Sequence, residues 1–399
     1  MRAGALAAVS IVAACLGAAA VLLIGSAAGW VGDESGVTTV VVPTVPDASG
    51  GASAPSAAPL LGNGFDPARI YANRSEGVVT IYSFFPNGQR AQGSGFVVSA
   101  EGHILTNSHV VTTSAAGSTS VKGAERIYVS FHDGDRIPGR IVGWDLFNDT
   151  GLVKVDPKDH AVAPVPLGDS STVVVGEPVA AIGSPFGQES SLAVGVVSAT
   201  ERSIDSLTSA YDVSDAIQID APINHGNSGG PLLDARGRVI GINAQIRSDS
   251  GNAEGVGFAI PINSARRSME QLLSTGHVAY AYVGVTTQDV TPALSRRYGL
   301  GAPRGALIQG VVEDAPAARA GLRGSSDEEV FNGVPIALGG DLIVGFAGRK
   351  VERAADIARI VTDSLLPGQT VSVVVLRRGK GKRETVRVRL TERPLNPIR

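Results

Sequence analysis

The feature that most restricts the fold of this chain is a series of short apolar runs between Ile70 and Asn263, separated by Gly, Pro, Asn and Asp. The runs are β-branched or alternate apolar with polar residues: VVTIYSF, GSGFVVS, RIYVSF, GRIVGWD, LVKVD, PVAAIGS, VGVVSAT, AIQID, VIGINAQI and VGFAIPI. Such runs, bounded by turn residues, are typical of strands. The 50 glycines and an aromatic content of 5% also favour a β-rich body over a helical bundle. The region is therefore predicted to form an all-β barrel or sandwich.

The strand pattern gives way to helical periodicity at residues 263–274, NSARRSMEQLLS. Four apolar side chains share one predicted helical face: Ala265, Met269, Leu272 and Leu273. Asn263 is suited to cap the start, and Gly276 lies just past the end. We expect this helix to close a first domain at residues 67–278.

A smaller domain is predicted at residues 279–393. It combines strand-like runs with a helical segment from Asp356 to Leu365. The strand-like runs are YVGVTT, GALIQGVV, DLIVGFAG, TVSVVVLRRG and ETVRVRL. This domain shows no clustering of catalytic residue types, so we interpret it as a separate binding module.

The N-terminal segment is strongly apolar, with no charged residue between Ala3 and Gly32. About 20 apolar residues suffice to span a bilayer. Arg2 precedes this run, whereas Asp33 and Glu34 follow it, which predicts a cytoplasmic N-terminus and an extracytoplasmic body. We predict a transmembrane helix at residues 1–32 and a single-pass protein of the cell membrane. The alternative is a cleaved signal peptide, which would leave a secreted or periplasmic body.

The composition of the remaining chain restricts its partners. Residues 33–66 are rich in Gly, Ala, Ser and Pro, which predicts a disordered linker. The chain has 34 basic and 37 acidic residues and a net charge of -3, so no excess of positive charge indicates nucleic-acid binding. The single cysteine, Cys15, permits neither an internal disulfide nor a thiolate metal site. We expect neither a metal nor a cofactor.

Three motifs in the first domain carry residues suited to nucleophilic catalysis, in the order His, Asp, Ser. They are GSGFVVSAEGHILTNSHVV with His109, WDLFNDTGLVKVD with Asp149, and DAPINHGNSGGPLLD with Ser228. Acyl transfer needs a hydroxyl nucleophile, an imidazole that activates it and a carboxylate that orients the imidazole. Asp145 and Asp156 compete with Asp149, but we interpret both as turn residues.

Backbone donors for a developing oxyanion are also available beside Ser228. The G-x-S spacing of Gly226 and Ser228 lets two main-chain N–H groups point at one oxygen. We expect the glycines at 226, 229 and 230 to keep side chains away from a bound substrate.

These motifs resemble those of the HtrA/Deg family of trypsin-like serine proteases, over roughly residues 66–393. The matching segments are TNSHVV, AIGSPFG, VGVVSA, GNSGGPL and GVGFAIPIN, in the family's order. The resemblance implies a trypsin-like fold of two six-stranded β-barrels, with His109 as general base, Asp149 as orienting acid and Ser228 as nucleophile. It also implies a homotrimer. Two departures are Gly151, where the family usually has Ala, and His225, where it often has Pro.

The second domain resembles an α+β PDZ domain. Tyr282, Val283, Gly284 and Val285 correspond to its carboxylate-binding loop, and Asp356–Leu365 to the helix that lines the peptide groove. Such domains add a peptide as an extra strand and bind its terminal carboxylate through backbone N–H groups, so Gly284 is expected to allow close approach. Residues 323–339 exceed what a minimal PDZ domain needs and are interpreted as a surface loop.

Together these features predict a membrane-anchored serine endopeptidase that cleaves misfolded or regulatory extracytoplasmic proteins and recognises C-terminal peptides through its PDZ domain. The alternative is a chaperone-like or peptide-binding protein with weak proteolysis. The two differ in whether Ser228 is needed for cleavage.

Overall fold

The computed structural model describes residues 64–86, 88–113, 121–184, 191–223, 226–244 and 256–395. The predicted transmembrane helix at 1–32, and the predicted linker up to residue 63, lie outside these residues. Across the described ranges, no helix is both long and apolar enough to cross a membrane. Phe65 is fully buried, and the Asp66 carboxylate caps helix α1 (Pro67–Arg74) by accepting the Arg69 N–H at 3.0 Å. Phe65 and Asp66 therefore belong to the packed body.

Six antiparallel strands form a first closed barrel in the order β1-β2-β3-β6-β5-β4. They are β1 (Val78–Phe84), β2 (Arg90–Val97), β3 (His103–Thr106), β4 (Arg126–Ser130), β5 (Arg136–Asp145) and β6 (Thr150–Lys154). A short helix, α2 (Ser108–Val111), follows β3. The barrel interior is filled by branched side chains such as Val79, Ile81, Val97, Ile104 and Val129. Branched residues suit this interior because they pack well on a pleated surface.

A second closed barrel follows, in the order β10-β11-β12-β9-β8-β7. Its strands are β7 (Pro178–Gly183), β8 (Ser191–Ile204), β9 (Val213–Ile219), β10 (Pro231–Leu233), β11 (Val239–Ala244) and β12 (Gly257–Pro261). One buried cluster joins the two barrels: it includes Phe96, Leu105 and Leu152 from the first and Ile182, Leu233 and Ile242 from the second. The predicted β-rich first domain, with two six-stranded barrels, is confirmed.

Helix α3 (Ile262–Thr275) follows the second barrel directly, close to the predicted position. It ends at Gly276, whose φ of 79° places it in the left-handed region that favours glycine. Ala265 and Leu272 are buried as predicted, but Leu273 is 49% exposed. The assignment of Leu273 to the buried face was wrong, because it lies at the edge of the stripe that packs on the barrels.

The C-terminal domain is built on an antiparallel sheet in the order β14-β15-β18-β20-β21, with β19 on β18. These strands are β14 (Val285–Val290), β15 (Gly305–Val311), β18 (Leu342–Phe346), β19 (Arg349–Lys350), β20 (Thr370–Leu376) and β21 (Arg383–Arg389). A separate pair joins β13 (Ala281–Tyr282) to β22 (Thr391–Glu392). The helices are α4 (Pro292–Tyr298), α5 (Pro316–Arg319) and α6 (Ala354–Ser364). Helix α6 places Ile357, Ile360 and Val361 in the domain core.

The segment at 323–339 contains a β-hairpin, so its interpretation as a surface loop was wrong. Strands β16 (Asp327–Phe331) and β17 (Val334–Leu338) pair in register across Asn332 and Gly333. Both turn residues have positive φ, 52° and 81°, as a type I′ turn requires. An Asn-Gly pair between apolar residues is a strong sequence signal for a hairpin. The interpretation as a loop rested on composition, which does not contain this signal.

Ionic contacts connect the C-terminal domain to the barrels. Glu201 of β8 accepts hydrogen bonds from Arg353 at 2.8 Å and Arg359 at 2.9 Å. Arg267 of α3 pairs with Asp363 of α6 at 3.0 Å. Asp215 of β9 lies beside this group, and its pKa is raised to about 6, chiefly by burial and also by the nearby Asp363 carboxylate.

The raised pKa of Asp215 predicts pH-dependent stability. In the folded chain the Asp215 carboxyl stays protonated up to about pH 6, whereas its ordinary pKa is 3.8. The stability that the neutral carboxyl contributes is therefore lost as pH rises from about 4 to about 6. We expect Asp215→Asn to raise the free energy of unfolding at pH 8 by about 1–2 kcal/mol, allowing for partial solvent screening, and to leave it unchanged near pH 3.5.

Urea unfolding at the two pH values measures this difference. Asp159→Asn is the matched control, because it makes the same substitution at an exposed position. A variant no more stable than wild type at pH 8 would contradict the prediction.

Candidate active site

The pairing of β3 with β6 brings His109 and Asp149 together. The strands are antiparallel, and Thr106 at the end of β3 faces Gly151 near the start of β6. His109 therefore lies in the helix that follows β3, and Asp149 in the turn that precedes β6, at the same edge of the barrel. A Cβ on Gly151 would lie 3.0 Å from the Asn107 carbonyl oxygen, so glycine permits close packing of these two segments.

The Asp149 carboxylate is fixed by three donors. Its Oδ1 accepts the Ser108 hydroxyl at 2.8 Å and the His109 backbone N–H at 3.0 Å. Its Oδ2 lies 2.7 Å from His109 Nδ1. An ionised carboxylate only accepts hydrogen bonds, so Nδ1 carries the proton and Nε2 of the neutral ring is left as an acceptor.

The backbone of Asp149 is held in an uncommon conformation, with φ at 43°. Its carbonyl oxygen accepts the Asn107 side-chain amide at 2.9 Å and the Ser108 N–H at 3.2 Å. These bonds fix the turn that aims the carboxylate at His109.

The His109 side chain is about 22% exposed and its pKa is raised. Burial opposes protonation, but the charge of Asp149 and its hydrogen bond to the ring outweigh that effect. The pair is therefore suited to accept a proton on Nε2 and to stabilise the resulting imidazolium.

Ser228 lies in a turn that is anchored to both barrels. Gly229 N–H donates to the Asn243 carbonyl of the second barrel at 2.8 Å, and Ser94 N–H of the first barrel donates to the Ser228 carbonyl at 2.8 Å. Gly229 lies against the His109 segment, because a Cβ there would come within 2.5 Å of Thr106 Oγ1 and 3.1 Å of Asn107 N. The tertiary structure thus places Ser228 beside the segment that leads to His109.

The glycines at 229 and 230 are required by packing within the protein. A Cβ on Gly229 would lie 2.2 Å from the Ser94 carbonyl oxygen, and its φ is 86°. A Cβ on Gly230 would lie 2.2 Å from the Ile182 carbonyl oxygen. Gly226 has a φ of 102°, which also favours glycine.

The Ser228 hydroxyl is buried and has no hydrogen-bond partner among the described residues, so it is not bonded to His109. Within the same ranges, the backbone N–H groups of Gly226 and Ser228 have no acceptor. As far as the described residues show, the turn presents a hydroxyl and two unpaired backbone donors, the groups that acyl transfer requires.

Asp145 is not a simple turn residue, so that interpretation was wrong. It ends β5, is 1% exposed, and its Oδ2 accepts the hydroxyls of Ser268 at 2.6 Å and Tyr280 at 2.5 Å. Burial raises its pKa. The carboxylate connects α3 and the segment before β13 to the turn that carries Asp149. Asp156 is exposed and accepts the Lys158 N–H at 3.0 Å, as expected of a turn residue.

Ser94 was missed by the sequence analysis. Its buried hydroxyl donates to the Gly226 carbonyl at 2.5 Å and accepts the Ser184 N–H at 2.8 Å, while its own carbonyl accepts the Thr106 hydroxyl at 2.6 Å. Ser94 thus joins the His109 segment to the Ser228 turn. The only signal was a serine between two glycines in a strand, GSG, which by itself has many explanations.

The predicted carboxylate-binding loop lies at one end of a groove of about 440 Å³. In the described part of the chain, the N–H groups of Val283 and Gly284 have no backbone acceptor. Tyr282 and Val285 also line the groove. Gly284 has a φ of 78°, and a Cβ there would lie 2.1 Å from Ala315 Cβ. Its glycine is therefore required by packing against Ala315, which differs from the expected role in admitting the peptide.

The raised pKa of His109 is testable by NMR. We expect its imidazole to titrate above 6.5 and Asp149→Asn to lower that pKa, because the carboxylate charge is removed while burial still opposes protonation. The pair stabilises the fold below the pKa of unfolded histidine, and this contribution is lost as pH rises through the folded-state pKa. Asp159→Asn serves as a remote control. Equal pKa values in wild type and Asp149→Asn would contradict the assignment.

Two protein families match the chain, one in each domain. Residues 93–242 match the trypsin-like peptidase domain, and residues 281–390 match the PDZ domain. The chain is 38% identical over 296 residues to a probable periplasmic serine endoprotease, DegP-like, of Pseudomonas savastanoi pv. phaseolicola, covering 74% of this chain and 55% of that protein. For the protein of the same description from Hahella chejuensis, the identity is 39% over 294 residues, covering 74% and 56%. The chain thus spans little more than half the length of these relatives.

Solved structures match over more of their length. The HtrA-type protease AlgW with a tripeptide has a TM-score of 0.67 and 34% identity, covering 82% of this chain and 97% of that chain. The same protease with a decapeptide has a TM-score of 0.63 and 32% identity, covering 82% and 99%. On the two barrels, the PDZ domain and these similarities, the chain belongs to the HtrA family of trypsin-like serine proteases.

Proposed function

We propose that this chain is a serine endopeptidase in which Ser228 is the nucleophile, His109 the general base and Asp149 the residue that orients it. The observation that carries the proposal is the 2.7 Å bond between His109 Nδ1 and Asp149 Oδ2, next to a turn that presents Ser228. Family membership and the serine endoprotease descriptions of the relatives support it.

In the proposed reaction, Ser228 Oγ attacks the scissile carbonyl carbon while its proton passes to His109 Nε2. Asp149 stabilises the imidazolium, and the N–H groups of Gly226 and Ser228 bind the oxyanion. His109 then protonates the leaving amine, and water hydrolyses the acyl-enzyme by the same steps. Substrate binding must bring Ser228 Oγ within hydrogen-bond reach of Nε2, because that bond is absent from the free site.

The remaining assignments follow from the family. We assign residues 67–278 to the protease domain and 279–393 to the PDZ domain. We propose that the substrates are misfolded or regulatory proteins outside the cytoplasm, and that C-terminal peptides bind at Tyr282–Val285. The relatives are described as periplasmic, which supports an extracytoplasmic location. The proposed anchor at 1–32 and the homotrimer rest on sequence and family resemblance.

The function is tested by cleavage of an unfolded protein, such as reduced and carboxymethylated lactalbumin. We expect Ser228→Ala to lower the cleavage rate by at least about 10³-fold, because the nucleophile is removed. Ser274→Ala is the matched control, since Ser274 is an exposed residue at the end of α3. Equal rates for Ser228→Ala and wild type would contradict the proposal and favour the chaperone-like alternative.

Ser94 is predicted to position the oxyanion-binding turn. Ser94→Ala removes the bond to the Gly226 carbonyl, so we expect kcat to fall about tenfold or more with a smaller change in KM. Ser83→Ala is a matched control, because Ser83 is fully buried in the same barrel and its hydroxyl has no partner among the described residues.

Steady-state kinetics with a fluorogenic peptide separate the two parameters. Equal kcat values for Ser94→Ala and Ser83→Ala, with both proteins folded by circular dichroism, would contradict the positioning role.

A further inference from the structure

The groove of the PDZ domain is closed on one side by the protease domain. Its walls include β14 and α6, and also Ser203, Tyr211, Asp212 and Ser214 from the second barrel. Apolar side chains dominate near α6, including Ile357 and Val361. Among the described lining residues, Arg393 is the one cationic side chain and Asp212 the one acidic side chain.

Arg393 lies at the junction of the two domains. Its backbone N–H donates to the Tyr280 carbonyl at 2.8 Å, which continues the pairing of β13 with β22. Its guanidinium carbon lies 5.2–5.3 Å from the ring centres of Phe147, Tyr211 and Tyr280. These cation–π contacts hold the side chain in one place at the edge of the groove.

The guanidinium has no anionic partner. Within the described part of the chain, Arg393 makes no salt bridge, and its side chain donates no hydrogen bond to a protein acceptor. Burial lowers its pKa, which reflects the cost of placing this charge among aromatic rings. A partly buried cation without an anionic partner requires an explanation in a folded protein.

Nearby carboxylates are already committed to other donors. Asp145 accepts the hydroxyls of Ser268 and Tyr280, and Asp212 accepts the Ser203 hydroxyl at 2.8 Å. Three other arginines at the domain junction are paired: Arg353 and Arg359 with Glu201, and Arg267 with Asp363. Arg393 is thus the cation lining this groove that has no anionic partner among the described residues, so its N–H groups are available to an added anion.

We propose that Arg393 binds a carboxylate of the peptide in this groove and thereby determines which peptides the PDZ domain selects. The carboxylate is either the peptide's C-terminus or an acidic side chain close to it, because both offer two oxygens to the planar guanidinium. The inference rests on the proposed peptide binding by residues 282–285. In this proposal the Arg393 side chain, next to the last strand pair of the domain, binds the peptide in addition to the backbone N–H groups of Val283 and Gly284.

The test uses the full chain with Ser228→Ala, so that bound peptides are not cleaved. Four fluorescein-labelled probes are compared by anisotropy: Ala-Ala-Ser-Glu-Val and Ala-Ala-Ser-Gln-Val, each with a free or an amidated C-terminus. The affinity of each probe is measured for the Ser228→Ala chain with its native Arg393 and for the same chain carrying Arg393→Gln or Arg393→Lys. Arg389→Gln is the matched control, because Arg389 is exposed and lies outside the groove.

If an acidic side chain is the ligand, we expect the Glu peptide to bind about tenfold more tightly than the Gln peptide. Arg393→Gln should reduce this ratio to near one. If the terminal carboxylate is the ligand, the ratio of acid to amide affinity should fall about tenfold in Arg393→Gln while Glu and Gln peptides bind alike. Arg393→Lys should retain part of either ratio, since it keeps the charge but loses the planar pair of donors.

Two results would overturn the inference. In the first, the Glu-to-Gln and acid-to-amide affinity ratios are the same with Arg393 and with Arg393→Gln, and thermal unfolding is unchanged. This result would exclude Arg393 as the determinant but leave peptide binding intact. Failure of all four probes to bind would overturn the inference together with peptide binding at 282–285. Neither result bears on cleavage by Ser228, which is measured separately.

Discussion

The buried carboxylate of Asp149 is the constraint on which the candidate active site depends. A carboxylate removed from water must be hydrogen-bonded or paired, because its desolvation is otherwise too costly. Here that requirement is met by Ser108 and His109. The same bonds that satisfy the charge therefore fix the ring, its tautomer and the start of α2.

The two barrels meet at the site through Ser94. Its hydroxyl and backbone together contact Thr106 on the His109 side and Gly226 and Ser228 on the other. A small hydroxyl suits this position, because it both donates and accepts while occupying little space between strands. The geometry of the candidate catalytic groups therefore depends on a residue to which we assign no part in the chemistry.

The PDZ domain is attached by two kinds of contact with different properties. The pairs of Glu201 with Arg353 and Arg359 are partly exposed, so solvent and salt weaken them. The contacts of Arg393, Tyr280 and Asp145 are largely buried and lead to the turn that carries Asp149. A ligand on Arg393 would therefore bind next to a packed connection between the peptide groove and the catalytic turn.

The sequence by itself determined the strand-rich body, the helix after the second barrel and the second domain, and it nominated His109, Asp149 and Ser228 as candidate catalytic residues. These follow from local periodicity and from motifs in which spacing along the chain reflects the chemistry. The Asn332-Gly333 pair is also a local signal, and it indicates the hairpin.

Only the tertiary structure decided the contacts of Ser94, Asp145 and Arg393, and the packing of Gly229 and Gly284. The reason is that each depends on a partner far away in the chain: Ser94 on Gly226, Asp145 on Tyr280, and Arg393 on Phe147. Local patterns report which face of an element is buried. They carry no information on which distant donor, acceptor or ring will satisfy a buried polar group, because that is fixed by how the barrels and the domain pack.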